Sequence, residues 1–406
     1  MRLSRLLVVF SVYTLMTVNA QNKITLDEAI TLAIKNNIEL QNHNASIKSA
    51  EIALDESSRL PNPIFSYSRE DLKFNSLKYD EWTASGSIPI NFLWDRWSNL
   101  ESKEKYLDAQ EVLLYQKQIN IIADVSINYH ALNNYSDLSY SLNKTLLNLS
   151  ELVKSSKYRL EQGDISEYEF HRILLEINKL EVTTAEIELK KNNFKNKLKL
   201  LMGISVSDSL LVDLSKKEND IAKTKEELIK VALESRNDLK SLQLMQESEN
   251  LNLSHNKLKF IPNINLSAGY KEQLDNFSGT IFQIDFEIPL FNRNQMAIGQ
   301  SENSLTLLEK EIMFAKEKIK SDVSEAYSHF RIAKKLYQGR SDIQLENILN
   351  VAIYSYKQGE ITIVEFIDGI NAFIKGSIMN KEVELNYNKS FYELEKAVGI
   401  TLKDFK

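Results

Sequence analysis

The chain has 406 residues, with 50 basic and 56 acidic side chains, so its formal net charge is only −6. This mild balance argues against a nucleic-acid-binding protein. The sequence contains no cysteine, which excludes disulfides, thiolate metal sites and cysteine catalysis.

The N-terminus has the pattern of a secretory signal. Arg2 and Arg5 precede a mostly apolar run, Leu6 to Val12, and a small-residue cleavage site ends at Ala20. We therefore predict a signal peptide over residues 1–20. The apolar run is too short to span a membrane, and no later run of about 18 apolar residues follows. An exported chain of this kind is periplasmic, secreted, or in the outer membrane as a β-barrel.

The remaining sequence indicates a tandem duplication, because its motifs recur in order after about 200 residues. Leu60-Pro61-Asn62 is echoed by Ile261-Pro262-Asn263, for example. Each half is predicted to contain a helix, two strands, a long helix, a turn and another helix. The predicted repeats cover 21–203 and, with the C-terminal tail, 224–406, joined by a linker over 204–223.

Each half begins with a predicted helix and a strand pair. Thr25 and Thr224 are the N-caps, and their helices are expected to run to about Arg59 and Lys259. The strands are predicted at 62–72 with 80–90, and at 263–272 with 279–289. All five prolines lie at strand edges, where they interrupt no helix. Ten-residue strands with apolar and polar alternation are typical of transmembrane barrels, although a soluble hairpin has the same pattern.

A long helix follows each strand pair. In the first half a seven-residue apolar ladder begins at Leu100 and continues to Leu149; in the second it begins at Leu305. Sustained heptads predict coiled-coil packing. About 65 residues per long helix give a rod of about 100 Å. The other helices are about half as long, so two stacked end to end would match one rod.

Each long helix is predicted to end in a tight hairpin tip. The first tip reads Gln162-Gly163-Asp164-Ile165-Ser166, and the second reads Gln358-Gly359-Glu360-Ile361-Thr362. Glycine can adopt the left-handed conformation that ends a helix. Ser166 and Thr362 are suitable N-caps for the next helix, and a glutamate three residues later completes a capping box.

Four strands cannot close into a barrel, and unpaired strand edges in lipid cost several kcal/mol per group. The smallest barrels have about eight strands, and three copies of this chain would supply twelve. The expected fold is therefore mainly α with a small β part. A trimer would combine a transmembrane β-barrel with a long coiled-coil α-helical barrel, and such an assembly is a conduit.

The ordered set of motifs resembles the TolC-type outer-membrane efflux family. The resemblance covers nearly the whole mature chain and includes Leu26-Asp27-Glu28-Ala29, Leu60-Pro61-Asn62-Pro63, both tips and Met202-Gly203-Ile204. It implies a homotrimer in outer-membrane lipid with its helical part in the periplasm. It also implies docking through the tips onto a periplasmic adaptor that serves an inner-membrane pump. The compact chain is similar to the heavy-metal, CzcC-like branch.

The resemblance also implies roles for tip residues. Family members carry two aspartates that ring the periplasmic constriction, and the matching positions here are Glu365 and Asp368. Tyr356 matches a tyrosine that latches the closed tip, whereas the accompanying arginine is replaced by Ile361. The implied adaptor-docking residues are Gly163, Asp164, Ile165, Ser166, Gly359, Glu360, Ile361 and Thr362. The alternative is that Glu365 is only a capping residue and Asp368 only a solvated one.

No motif in the sequence predicts catalysis, a cofactor or a metal site, since there is no phosphate loop, nucleophile motif or paired-histidine spacing. The leading hypothesis is a passive duct for efflux, with a type I protein secretion duct as the variant. A structural or adhesive periplasmic coiled-coil protein is the competing class, but it would not need the strand pairs. The transported substrate is left open between metal ions, drugs and peptides.

Overall fold

The structure is a computed structural model that describes residues 23–75, 77–213, 221, 223–273, 277–340 and 345–402. The predicted signal peptide, most of the second half of the linker and the last four residues lie outside this part of the chain.

The described residues contain nine α-helices and four β-strands, which confirms the predicted mainly helical class with a small β part. The order of these elements repeats once. The repeat boundaries themselves stay a prediction. The first half contains α1 (Leu26–Asn36), α2 (Ile38–Ser58), β1 (Ile64–Phe74), β2 (Leu77–Pro89), α3 (Arg96–Glu161) and α4 (Glu167–Leu201). The second contains α5 (Lys225–Ser235), α6 (Asn237–Leu258), β3 (Asn263–Glu272), β4 (Ser278–Glu287), α7 (Gln295–Gln338), α8 (Leu345–Gln358) and α9 (Ile363–Val398).

The helix expected over 25–59 is in fact two helices, because the backbone is extended at Asn37 (φ −61°, ψ 127°). The Asn37 side chain accepts from the Glu39 backbone N–H at 2.9 Å and so caps α2. It also donates to the Leu201 carbonyl at the end of α4, at 3.0 Å. The break therefore satisfies a helix-end carbonyl that would otherwise lack a partner.

The corresponding helix in the second half also breaks, at Arg236. Its guanidinium bonds Asp238 at 3.0 Å and the carbonyl of Ala397, near the end of α9, at 3.3 Å. Both halves thus use the residue at the break to hold the end of their last helix.

The two long helices differ. The 66 residues of α3 match the predicted length. Its counterpart is interrupted, as α7 has 44 residues and ends at Gln338 with Gly339 as its C-cap, and α8 has 14 residues. Glycine is among the weakest helix formers. The Arg340 guanidinium after it lies 3.9 Å from the centroid of the Tyr337 ring.

The core consists of three apolar clusters along the helical part. One joins α1, α3 and α4 near Leu132 and Leu198, and the second joins α5, α7 and α9 near Phe330 and Phe391. The third lies toward the tips and combines α3, α4, α8 and α9. Among the described helices, none is both long and apolar enough to cross a membrane.

We expect Gly203→Ala to destabilise the protein much more than Gly163→Ala. Both glycines have positive φ (+64° and +80°), so alanine at either pays the left-handed penalty of about 1–2 kcal/mol. At Gly203 the added Cβ would also lie 2.5 Å from the Asn36 carbonyl oxygen, whereas at Gly163 nothing lies within 4 Å. Thermal unfolding followed by circular dichroism measures the difference. Equal melting temperatures would contradict the packing at Asn36.

Candidate functional site

Both hairpin tips have the predicted geometry. Gly163 and Gly359 adopt φ of +80° and +74°. The Asp164 N–H donates to the Arg159 carbonyl at 2.8 Å, and the Glu360 N–H to the Ser355 carbonyl at 2.9 Å. In both bonds the donor lies five residues after the acceptor, which is the pattern of the Schellman motif that closes a helix C-terminus.

The helices that leave the tips begin with complete capping boxes. The Ser166 backbone N–H donates to the Glu169 carboxylate at 3.0 Å, and the Thr362 N–H donates to Glu365 at 2.8 Å. In return each hydroxyl accepts the glutamate backbone N–H. Local bonds thus set the turn geometry of both tips, and most of the other tip side chains are exposed.

The two tips belong to one packed unit because a shared core lies behind them. Phe366 is fully buried, and its ring stacks on Tyr356 with centroids 4.6 Å apart. Tyr356 is itself only 4% exposed. Ile361 packs against the same cluster, which α3 and α4 of the first half complete.

Arg159 connects the first tip to the second. Its guanidinium lies 5.7 Å from the centroid of the Tyr356 ring and donates to the Tyr356 carbonyl at 3.5 Å. Burial raises the pKa of Tyr356, and the nearby Arg159 lowers it to a lesser extent. In the family that the sequence resembles, an arginine accompanies this tyrosine at the position of Ile361. Here Arg159, from the other half of the chain, contacts Tyr356.

Sequence reasoning missed Arg159 because it lies 197 residues from Tyr356. The signal that could have found it is its position one turn before the first tip, aligned with Ser355 in the second tip. The Tyr356 hydroxyl is buried without a hydrogen-bond partner in the described part of the chain.

The two predicted constriction carboxylates are exposed on α9. Hydrogen bonds from the Thr362 backbone and then its hydroxyl lower the pKa of Glu365, so this group is ionised at neutral pH. Both bonds end on Oε2. Asp368 lies one turn further on and is also exposed. Glu365 therefore does act as a capping residue. The constriction role of Glu365, Asp368 and Tyr356 stays a prediction.

Six of the eight predicted docking residues are exposed. Ile361 is half-buried, and Ile165 is only 7% exposed. Ile165 contributes to packing beneath the tip more than to its surface. A docking partner would meet mainly the backbone and polar side chains of the two turns.

The strands form one antiparallel sheet in the order β1-β2-β3-β4, so β2 and β3 join the two halves. The pairing register places one set of side chains on what we call the apolar face and the alternate set on the polar face. The apolar face carries Phe65, Tyr67, Trp82, Ala84, Gly86, Ile88, Ile264, Leu266, Ala268, Tyr270, Phe282, Ile284 and Phe286. Apart from Ile64, Leu72 and Ile281, the described side chains of the polar face are mostly Ser, Thr, Asn, Gln and charged residues.

The apolar face is uncovered in the single chain. Phe282 is 81% exposed and Phe286 59%. Each outer strand, β1 and β4, has one pairing partner in the described sheet. An exposed apolar face and two open edges are liabilities in water, so they indicate surfaces that another phase or another copy covers.

The described ranges contain no group of three His, Cys, Asp or Glu side chains that could hold a metal ion. Two of the histidines bond backbone carbonyl groups: His43 bonds that of Gln110 at 2.8 Å, and His255 bonds that of Asp95 at 2.9 Å.

No protein-family model matches the sequence, and no curated protein matches it. The structure, however, is similar to solved structures over nearly its whole length. A membrane protein from Pseudomonas aeruginosa has 16% identity and a TM-score of 0.76, covering 92% of this chain and 90% of that one.

Two outer membrane channels are also similar in structure. CmeC from Campylobacter jejuni has 15% identity and a TM-score of 0.73, over 92% of this chain and 85% of that one. MtrE from Neisseria gonorrhoeae, solved in its open state, has 15% identity and a TM-score of 0.73, over 92% and 89%. These similarities establish the fold and confirm the one that the sequence resemblance implied.

Proposed function

We propose that the chain is the outer-membrane channel of a tripartite efflux system. In this role three copies form a passive conduit, and a periplasmic adaptor and an inner-membrane pump deliver the substrate to it. The observation that supports this most directly is the four-stranded sheet, with an exposed apolar face and two unpaired edges, on a chain with an outer-membrane-channel fold.

The sheet requires an assembly. In hydrocarbon every backbone N–H and C=O must find a partner within the protein, which only a closed barrel achieves for strands. Four strands per chain and three chains give twelve strands, within the range of known barrels. Pairing β4 of one copy with β1 of the next would remove every edge, with the apolar face toward lipid and the polar face toward the lumen.

The helical part would then extend into the periplasm, and its tips would face the adaptor. A docking surface requires exposed residues at the tips, and six of the predicted ones are exposed: Gly163, Asp164, Ser166, Gly359, Glu360 and Thr362. Because the duct is passive, transport energy would come from the pump.

A structural coiled-coil protein is the competing function. The heptads and tips would suit it, but such a rod gains nothing from an exposed apolar sheet. A type I secretion duct uses the same architecture, and only the pump distinguishes the two.

Outer-membrane fractionation tests the proposal. We expect the protein in the outer-membrane fraction, migrating on gels as a trimer that converts to monomer on heating. A soluble monomer in the periplasm would refute the proposal and favour the structural function.

We expect Glu365→Ala combined with Asp368→Ala to reduce cation selectivity of single channels in planar bilayers. Three copies would place six carboxylates at the tips, and rings of like charge favour counter-ions in a pore. Glu382→Ala is the matched control, since it removes an exposed carboxylate about 20 Å further along α9. Unchanged selectivity in the double variant would remove these residues from the constriction.

A further inference from the structure

A groove of about 580 Å³ crosses the apolar face near the middle of β3 and β4 and near the end of β2. Ile88, Leu266, Phe282 and Ile284 line it, with Gly86 among them. A Cβ added to Gly86 would meet nothing within 4 Å, so the space above this residue is open. Its lining covers about three residues on each of β2, β3 and β4, which is room for the end of a linear apolar group.

An aromatic row lies between this groove and the hairpin ends. Trp82 is 6.3 Å from Tyr67 and 5.8 Å from Tyr270, measured between ring centroids. Tyrosine and tryptophan at this position are typical of the boundary between hydrocarbon and headgroups. The row therefore marks where the apolar band ends.

Beyond the aromatic row the same face becomes charged. Arg69 bonds Asp71 at 3.2 Å and Asp80 at 3.3 Å. One step further, Lys73 and Lys78 stand directly opposite each other across the β1–β2 hairpin, and both are exposed. The two carboxylates are held by Arg69, and Glu272 lies on the same face opposite Trp82. These six charged side chains sum to zero, so positive charge is concentrated only at the lysine pair.

Two lysines in a directly opposed cross-strand pair repel each other. An anion placed between them would relieve this repulsion and add favourable interactions with both. A phosphate group suits the position, because it is anionic and presents several acceptor oxygens.

The spacing between the lysines and the groove fits one lipid molecule. Eight residues separate Lys78 from Gly86, which is about 26 Å along a strand and about 20 Å along the membrane normal at a tilt of about 40°. Half of the hydrocarbon core is about 15 Å thick, and the headgroup layer adds several ångströms. A phosphate at the lysines would thus place its acyl chain in the groove.

We propose that the apolar face binds a phosphorylated lipid of the outer leaflet, with the phosphate between Lys73 and Lys78 and an acyl chain in the groove at Gly86. The inference rests on the proposed function, since it requires the hairpin ends to face outward and the apolar face to contact lipid. The lipid would then act as a specific ligand of each chain and not only as solvent.

The test measures lipid binding to the delipidated, detergent-solubilised trimer by native mass spectrometry. The probes are phosphorylated lipid A and the same lipid after dephosphorylation. Lys73→Ser combined with Lys78→Ser should weaken binding of the phosphorylated probe about 30-fold, which is the expected loss when two lysines near an anionic lipid are removed. Binding of the dephosphorylated probe should not change. Gly86→Leu should fill the groove and weaken both.

Lys271→Ser is the matched control, because Lys271 is on the polar face, 2.9 Å from Glu81, and should not contact this lipid. Equal binding of the phosphorylated probe by the wild type and the double-lysine variant would overturn the inference. If binding is equal and both proteins form intact outer-membrane trimers, only this inference fails and the proposed function stands. If the wild type forms no such trimer, the proposed function fails and this inference fails with it. If Gly86→Leu does not assemble, the lysine variant alone decides.

Discussion

Phe282→Arg combined with Ile284→Arg should abolish assembly of the protein in the outer membrane. Both side chains lie on the apolar face and are largely exposed in the single chain, 81% and 56%. In water such a change would cost little, because neither side chain is packed. In lipid, each arginine near the membrane midplane costs about 2–4 kcal/mol. Three copies carry the cost three times.

The matched control is Gln283→Arg, which introduces the same charge between the two sites but on the polar face. We expect this variant to assemble like the wild type, since its side chain would enter the aqueous lumen. Heat-modifiable migration of the outer-membrane fraction measures both variants. Trimers of the double variant in normal amount would show that the apolar face does not meet lipid, and the barrel proposal would fail.

The local features of the fold could be predicted from the sequence, because local bonds decide them. Glycine followed by a hydroxyl residue and a glutamate three residues later was enough to locate both tips, where Schellman bonds and capping boxes are now seen. The alternation in β4 likewise predicted its two faces, since strand periodicity is fixed by the backbone.

The features that the sequence did not reveal depend on distant partners. The break at Asn37 is stabilised by a bond to Leu201, 164 residues away. The pairing of β2 with β3, which makes one sheet of two hairpins, also joins the two halves. Each of these positions has a plausible helix or strand pattern by itself, so periodicity alone could not identify them.

At the second tip, too, the local features could be predicted from the sequence and the long-range contact could not. The sequence placed Glu365 and Asp368 one turn apart on one helix face, and in the single chain both are exposed. It could not show that Arg159 crosses to Tyr356, because duplication aligns the two tips without saying how they pack. Whether the three chains bring these residues together around an axis stays a prediction.

Phe366→Ala should open the second tip while leaving the rest of the helical part folded. Phe366 is fully buried, stacks on Tyr356 and anchors α9 to α8 just behind the turn. Truncating a buried phenylalanine to alanine costs about 3–5 kcal/mol through lost burial and the cavity that remains. The other two apolar clusters share no residue with this one, so the loss should remain local.

Hydrogen exchange over residues 345–370 measures this opening, and Val364→Ala provides the control. Val364 lies two residues away in the same first turns of α9 but is 51% exposed, so its truncation should change exchange little. If the tip core orders the docking surface, Phe366→Ala should also weaken adaptor binding, because Gly359 to Thr362 would lose their fixed positions. Protected amides at the tip of Phe366→Ala would mean that the Schellman turn, the capping box and the Arg159 contact with Tyr356 hold the tip without the Phe366 ring.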